Sequence, residues 1–328
     1  MSETIINAGK TLIQKKETMV FSLVCIMTLI LLFTTQHFLD PNNIDSLQTS
    51  IAPSTIIAIG MMVLLITGMF DLSVGSVMGL CGVIAAIFLS MGLPVWLAIL
   101  LALICGALIG LLNGLLVEIA GINPLITTIG VMYVGRGMSE WLLVGKGREG
   151  YRNFDASFIN LGVGKFLGIY YMFWVMIILV IIVQLYLWYN ATGRRLFHIG
   201  GNEEASRQLG IRVKHIRIGA FVFSGTLASL AGVLSTARYE MANRYMGESL
   251  EMNIIIGCLV GGGSLTGGQG SVVGALLGIM FMSLITNLFN LWEIAPHWQY
   301  VVIGGILVFV VASDGFLSMR KKKALGKL

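Results

Sequence analysis

Charge is what this chain of 328 residues has least of. Asp, Glu, Lys and Arg together make up 11% of it, against 56% hydrophobic residues. A soluble domain carries about 25% charged residues, so a free-standing soluble enzyme is excluded at the outset. The four cysteines, Cys25, Cys81, Cys105 and Cys258, lie inside apolar segments without a CxxC pair, which argues against a disulfide framework or a thiolate metal site. The four histidines (His37, His198, His215, His297) are scattered, and neither HExxH nor GxSxG occurs. AGKT at residues 8–11 resembles the end of a phosphate-binding loop, but the position needing the first glycine holds Thr4. No catalytic residue, metal ligand or nucleotide site is therefore assigned to this chain. It also lacks an intramembrane series of carboxylates and basic partners of the kind proton-coupled carriers use, which counts against a secondary transporter.

What the chain does have is apolar length. Several runs reach the roughly 20 residues needed to cross a bilayer, and mean hydropathy is +0.88. The reading is an all-α polytopic helix bundle of about ten transmembrane helices, with broken or re-entrant glycine-rich segments. The expected spans are 19–36, 51–68, 74–91, 94–119, 124–143, 169–190, 218–237, 253–268, 271–291 and 298–313, those at 124–143 and 253–268 being the weakest. The first apolar run has no small-residue cleavage site after it and reads as a retained helix. The division expected is a tail over 1–18, a membrane domain over 19–314 with a long loop at 191–217, and a basic tail over 315–328. With both ends cytoplasmic, 14 of the 21 basic residues fall inside and six outside, with Arg136 within a span. That asymmetry obeys the positive-inside rule, and it accounts for the pI near 9.0 without nucleic acid as a partner.

The 41 glycines concentrate where helices should meet. GSVMG (75–79), GALIG (106–110) and GSVVG (270–274) have the small-xxx-small spacing that lets helix backbones approach in lipid. GMFDLSVGS and VGGGSLTGGQGS are denser still, and such backbone is tolerated at membrane depth only when protein or a water-filled cavity covers it. Asp71, Ser73, Asn113, Asn123, Thr127, Thr128, Asn287 and Asn290 are the candidates for a hydrophilic path, each with interhelical bonding or helix capping as its plain alternative. Amides and hydroxyls suit neutral, hydroxyl-rich solutes. Glu118 and Glu140, at predicted span ends, read as solvated carboxylates.

The largest inside loop carries a polar island, HIGGNEEASRQLGIRVKHIR, at residues 198–217. Asn202 is an N-cap, Glu203 and Glu204 complement the helix dipole, and Gly210 supplies a left-handed stop. The helix implied, 203–209, is too short to stand alone in water. It must lie on a surface, with Ala205, Leu209 and Ile211 as its apolar contacts.

GGNEEASRQLGIRV resembles the cytoplasmic coupling segment of ribose-type ABC transporter permeases. GMFDLSVGSVMGL, INPLITTIG and GGGSLTGGQGSVVGALLG followed by APHWQYVVIGG are similar to further motifs of that family, in the same order over residues 56–314. Met69, Phe70, Ser206 and Leu209 depart from the usual pattern. The resemblance implies a permease subunit in the bacterial inner membrane, importing a sugar or sugar-like solute delivered by a periplasmic binding protein. It implies a second permease chain, identical or related, and a separate cytoplasmic ATPase that binds ATP and Mg. The permease itself binds no cofactor. On that reading Gly201, Asn202, Glu203, Glu204, Ala205, Arg207, Leu209, Gly210 and Ile211 meet the ATPase. The outer loop around 238–251 (Arg238, Glu240, Arg244, Glu248) faces the binding protein. A branched-chain amino-acid permease is the nearest alternative, an ion-coupled carrier or a membrane scaffold more distant ones.

Overall fold

The computed structural model describes residues 2–144, 150–152, 154–295, 297–309 and 312, with side chains from Lys16 onward. The basic tail over 315–328 and the loop residues Lys146 and Arg148 lie outside the described residues. In chain order the helices are α1 (Ser2–Thr34), α2 (Pro41–Ile66), α3 (Val74–Ser90), α4 (Val95–Glu118), α5 (Pro124–Val144) and α6 (Ala156–Val163). A two-stranded hairpin follows, β1 (Lys165–Phe166) with β2 (Ile169–Tyr170). Then come α7 (Tyr171–Tyr189), α8 (Ala191–Gly201), α9 (Glu203–Gln208), α10 (Val213–Tyr239), α11 (Leu250–Val260) and α12 (Val272–Leu291), closed by α13 (His297–Phe309). Six of them are long and apolar enough to cross a membrane, and α3, α11 and α13 are shorter apolar helices. The chain is an all-α polytopic membrane bundle.

Burial sorts the helices by role. The apolar window of α2 is 94% buried and that of α10 67%, whereas those of α1 and α4 are 17% and 22% buried. The first two form the protein core, and the others keep most of their surface for lipid. Because lipid provides no hydrophobic drive between helices, close approach must come from small residues and hydrogen bonds. Between α4 and α10 a methyl group on Gly106 or Gly110 would collide with the carbonyls of Gly225 and Phe221, and Ser229 Oγ donates to the Ala102 carbonyl at 2.7 Å. The GALIG spacing thus marks a real helix contact. In GSVVG the contact is displaced: Gly270 lies in the turn, and Gly274 with Gly278 lies against the carbonyls of Gly261, just past α11, and Gly257 on α11.

Two expectations change. The span at 253–268 is only α11, and residues 261–271 form a turn-rich loop that leads into α12. That loop ends where Ser271 caps α12 and Gln184, buried on α7, accepts hydrogen bonds from the Val272 and Val273 N–H groups at 2.8 and 3.2 Å. The segment 240–249 is not a simple outer loop either. It folds back along α3, so that methyl groups on Gly75 and Gly79 would collide with the carbonyls of Gly247 and Met246.

The two ends of the bundle are distinct. The C-terminal ends of α2, α4 and α8 meet α9, the start of α10 and the glycine-rich loop at one end, which is here called the coupling face. At the opposite end Lys165 pairs with Asp45 at 2.7 Å. There Tyr170 O–H donates to Asp45, and Arg238 donates to Tyr170 Oη at 3.1 Å. Lys16 and Phe309 line a common groove with Gly262, next to the coupling face.

Candidate functional site

Asn202 ends α8 and caps α9, its Oδ1 accepting from the Ala205 N–H at 3.0 Å, and Gly210 stops the helix at φ +76°. The capped helix is therefore formed as the residues dictate, one residue shorter than 203–209. Its buried residue is Ser206, whose Oγ donates back to the Asn202 carbonyl at 2.8 Å. Leu209, by contrast, is 78% exposed. Glu204, Ala205 and Arg207 also face outward, and Ile211 is half-buried. The apolar tip is thus turned away from the chain's own membrane domain.

What ties α9 to that domain is a buried cation. Arg217, in the second turn of α10, reaches Glu203 at 2.8 Å and Glu118 of α4 at 3.3 Å. It also donates to the Thr67 carbonyl at the end of α2 at 3.1 Å. Glu118 is therefore a buried ion-pair partner and not the solvated carboxylate the span-end position suggested. Burial pushes the Glu203 carboxyl up, but the charge of Arg217 and hydrogen bonds from Arg207 and Arg217 outweigh it and hold it below the usual glutamate range.

Beside this cluster three glycine segments close on one another. A methyl group on Gly200 would collide with the Ile66 carbonyl and the Gly268 N–H. One on Gly267 would crowd the Cα atoms of Gly200 and Gly68. The Gly268 N–H donates to the Ile66 carbonyl at 2.9 Å. The two glycine-dense stretches singled out in the sequence thus meet the coupling island, backbone to backbone.

The polar residues expected to share a path are divided among four places. Asp71 Oδ1 accepts from the Ser73 N–H and Oγ at 2.8 and 2.6 Å, and Asn113 donates to Ser73 Oγ at 2.9 Å. All three are buried, and they shape the start of α3. Asn123 caps α5 through the Leu125 N–H at 2.8 Å, Thr128 bonds back to Pro124, and the buried Thr127 Oγ1 has no partner among the described residues. Asn287 exchanges amide hydrogen bonds with Asn43 across α12 and α2. Asn290 accepts from Gln299 at 3.3 Å near the opposite end. In a single chain Asn113, Asn287 and Asn290 bond across helices, whereas Asn123 and Thr128 make local bonds within or at the start of α5.

A second polar cluster gathers residues that were not grouped in advance. Arg136, from the middle of α5, donates to the carbonyls of Met246 and Gly247 at 2.9 and 2.6 Å. Its Nη2 lies 3.9 Å from Glu251 Oε2, and Arg244 pairs with Glu140 at 2.9 Å. These residues line a cavity of about 530 Å³ together with Tyr133, Tyr245, Glu248 and Ser249. Arg244 and Glu248 of the expected outer contacts belong here. Arg238 is instead engaged with Tyr170, and Glu240 is an exposed residue closing α10 in a left-handed conformation. The sequence signal was available in Arg136, a lone arginine within a span.

Comparison with known proteins identifies the assembly to which such a bundle belongs. Residues 43–311 match the family described as branched-chain amino acid transport system / permease component. The chain is 32% identical to the ribose import permease protein RbsC of Haemophilus influenzae, over 95% of this chain and 96% of that one. It is 36% identical to the L-arabinose transport system permease protein AraH of Escherichia coli, over 85% and 84%. It is 31% identical to the autoinducer 2 import system permease protein LsrC of Escherichia coli, over 89% and 86%. With an apolar multi-pass bundle and matches of this extent, the chain belongs to this family of ABC importer permeases, as a membrane-spanning transport subunit.

Proposed function

We propose that this permease carries a sugar or closely related polyol inward across the bacterial inner membrane. In this reading a periplasmic binding protein delivers the solute. A separate cytoplasmic ATPase binds ATP and Mg and powers the cycle, and a second permease chain completes the pathway. The family's description names branched-chain amino acids, but relatives matching along most of the chain carry the names of two pentoses, ribose and arabinose. Their names support a sugar over an amino acid. Both chain ends and α9 are assigned to the cytoplasm on the asymmetry of Lys and Arg. The membrane domain then comprises 19–314, between a tail at 1–18 and a basic tail at 315–328.

The observation that carries the coupling reading is the opposite exposure of the two ends of one short helix. Leu209 is free at the tip, while Glu203 is held inward by Arg217. A push on α9 from an ATPase therefore reaches the ends of α2 and α4 through one guanidinium, and the glycine loop through Gly200. Gly201, Asn202, Ala205, Gly210 and Ile211 shape and end the helix, and Glu204, Arg207 and Leu209 present its outer surface. The chain hydrolyses nothing itself.

The test is a double variant, Glu204→Arg with Leu209→Arg, in the assembled transporter. Both side chains are exposed, so the permease should fold and elute normally while co-purification with the ATPase and ATP-driven sugar uptake are lost. Undiminished co-purification and uptake would remove α9 from the interface.

A further inference from the structure

The cavity between α5 and the segment 240–251 has no part in the coupling just described, and its construction points to a ligand. Arg136 lies about 12 Å below the end of α5 at Val144, at a rise of 1.5 Å per residue. Glu251 lies in the first turn of α11, whose far end lies against the loop at the coupling face. The cavity therefore opens away from the coupling face and reaches well into the bundle.

Its floor is incompletely satisfied. Glu251 is 8% exposed, and its Oε2, which faces Gly75, has no hydrogen-bond partner among the described residues. The nearest cation, Arg136, is spent on two carbonyls and stops 3.9 Å short. A buried carboxylate oxygen without a donor is destabilising, and the Glu251 carboxyl lines the cavity, so turning of the group toward an entering donor would satisfy it. Above it stand Tyr133 and Tyr245, 69% and 61% exposed. They offer flat apolar faces with polar edges. At about 530 Å³ the cavity falls within the range of small-molecule sites.

The charges decide the class of ligand. Arg136 and Arg244 face Glu140, Glu248 and Glu251, and the Arg244–Glu140 pair is closed at 2.9 Å. Neither sign has a clear excess, which disfavours an anion or a simple cation. Donors and acceptors stand in nearly equal supply, as hydroxyl groups need, each giving one hydrogen and accepting others.

We infer that this cavity is the permease's own sugar-holding vestibule, where Glu251 accepts from a hydroxyl of a neutral monosaccharide after release from the binding protein, and the two tyrosines cover its ring. The inference rests on the sugar-importer reading. It gives the permease a voice in selectivity, beyond that of the binding protein.

The complete transporter in proteoliposomes, with D-ribose, L-arabinose and D-xylose as labelled probes and L-leucine as a control, provides the test. The unsubstituted transporter should take up at least one of the three sugars. Glu251→Gln should lower uptake efficiency about tenfold or more, the worth of one hydrogen bond to a charged group, and Tyr133→Ala should alter the ranking among the sugars. The near-isosteric Ser249→Cys, on the cavity wall, should react with a membrane-impermeant maleimide added outside, and the transported sugar should protect it. If sugars are carried but Glu251→Gln and Tyr133→Ala match the parent in rate and ranking, and the sugar gives no protection, the vestibule is wrong and the importer reading stands. If no sugar is carried, or L-leucine alone protects, the sugar reading falls and takes the vestibule with it.

Discussion

Two arginines, Arg217 and Arg136, are each held inside an apolar bundle, and they are held differently. Arg217 lies at the coupling face with two carboxylates and a carbonyl within 3.3 Å. Its side chain is 8% exposed, and among the described residues Nε alone of its nitrogens lacks a partner. Arg136 lies in the opposite half, bonded to two carbonyls of one loop, 3.9 Å from its carboxylate and open to a cavity at 23% exposure. One cation joins three separate elements and leaves nothing for a ligand. The other fixes a single loop and leaves its acidic neighbour short of a donor. The first arrangement suits the transmission of movement proposed for α9, and the second suits the recognition proposed for the cavity.

The widest separation between the two should come from removing the charge. Arg217→Met strands Glu118 in an apolar surrounding, and breaking a buried pair by removing one partner destabilises by about 3–5 kcal/mol. The thermal midpoint of purified permease should fall markedly and uptake should stop. Adding Glu118→Gln should restore part of the midpoint, because the orphaned charge is then gone. If the double variant is no more stable than the single one, the pair does not hold this end together.

At the other cluster Arg136→Gln loses charge-assisted bonds to the carbonyls of Met246 and Gly247, each worth about 1.5–3 kcal/mol before the remaining amide compensates. The group borders a cavity that water can enter, so the drop in midpoint should be smaller than that of Arg217→Met. Uptake should nevertheless fall severely, because the loop that shapes the cavity is released. Equal thermal losses at the two sites would erase the distinction drawn between them.

What could be read in advance follows the range of the forces involved. The spans were legible because lipid demands about 20 consecutive apolar residues, a local property. The helix from Glu203 was legible because capping is local too: Asn202 and Gly210 act within one turn of what they stop. Asn123 caps α5 in the same local way, through the Leu125 N–H, while Asp71 bonds Ser73 in the turn ahead of α3. Arg217 with Glu118 was not legible, since the partners are 99 positions apart and each looked like an ordinary residue at a span end. The turn back at 240–249 was hidden by its own composition. Charges and methionines suggested an outer loop, and the glycines that make room for it, Gly75 and Gly79, belong to another helix. The amphipathic helix α8 was likewise absorbed into a loop, although Asn190 caps it through the Thr192 N–H at 2.8 Å.

A smaller effect should come from the glycine junction that accompanies Arg217. Gly200→Ala places a methyl group against the Ile66 carbonyl and the Gly268 N–H, whereas Gly201→Ala meets open space. Overpacking of a close contact destabilises by about 1–3 kcal/mol, so the first variant should lose thermal stability and the second should match the parent. Since the two positions are adjacent in one helix, helix propensity cannot account for a difference. Identical behaviour would mean that α8 does not bear on the end of α2.

The smallest effect, and the finest probe of the coupling end, is the response to acid. Glu203 is held below the usual glutamate range by Arg217 and Arg207. A carboxylate with a depressed folded pKa binds fewer protons folded than unfolded, so its contribution is fully present above the unfolded value. It is lost as the pH falls through the folded one. The Glu203 side chain is 36% exposed, so solvent screening limits the contribution to about 1 kcal/mol or less. The thermal midpoint of the parent minus that of Glu203→Gln should be positive and level near neutrality and should shrink toward zero in acid. Taking the difference cancels the titration of other carboxylates. A difference that stays level through the acid range would show that Glu203 does not rest on Arg217, and the proposed route from α9 to α2 and α4 through that guanidinium would fail.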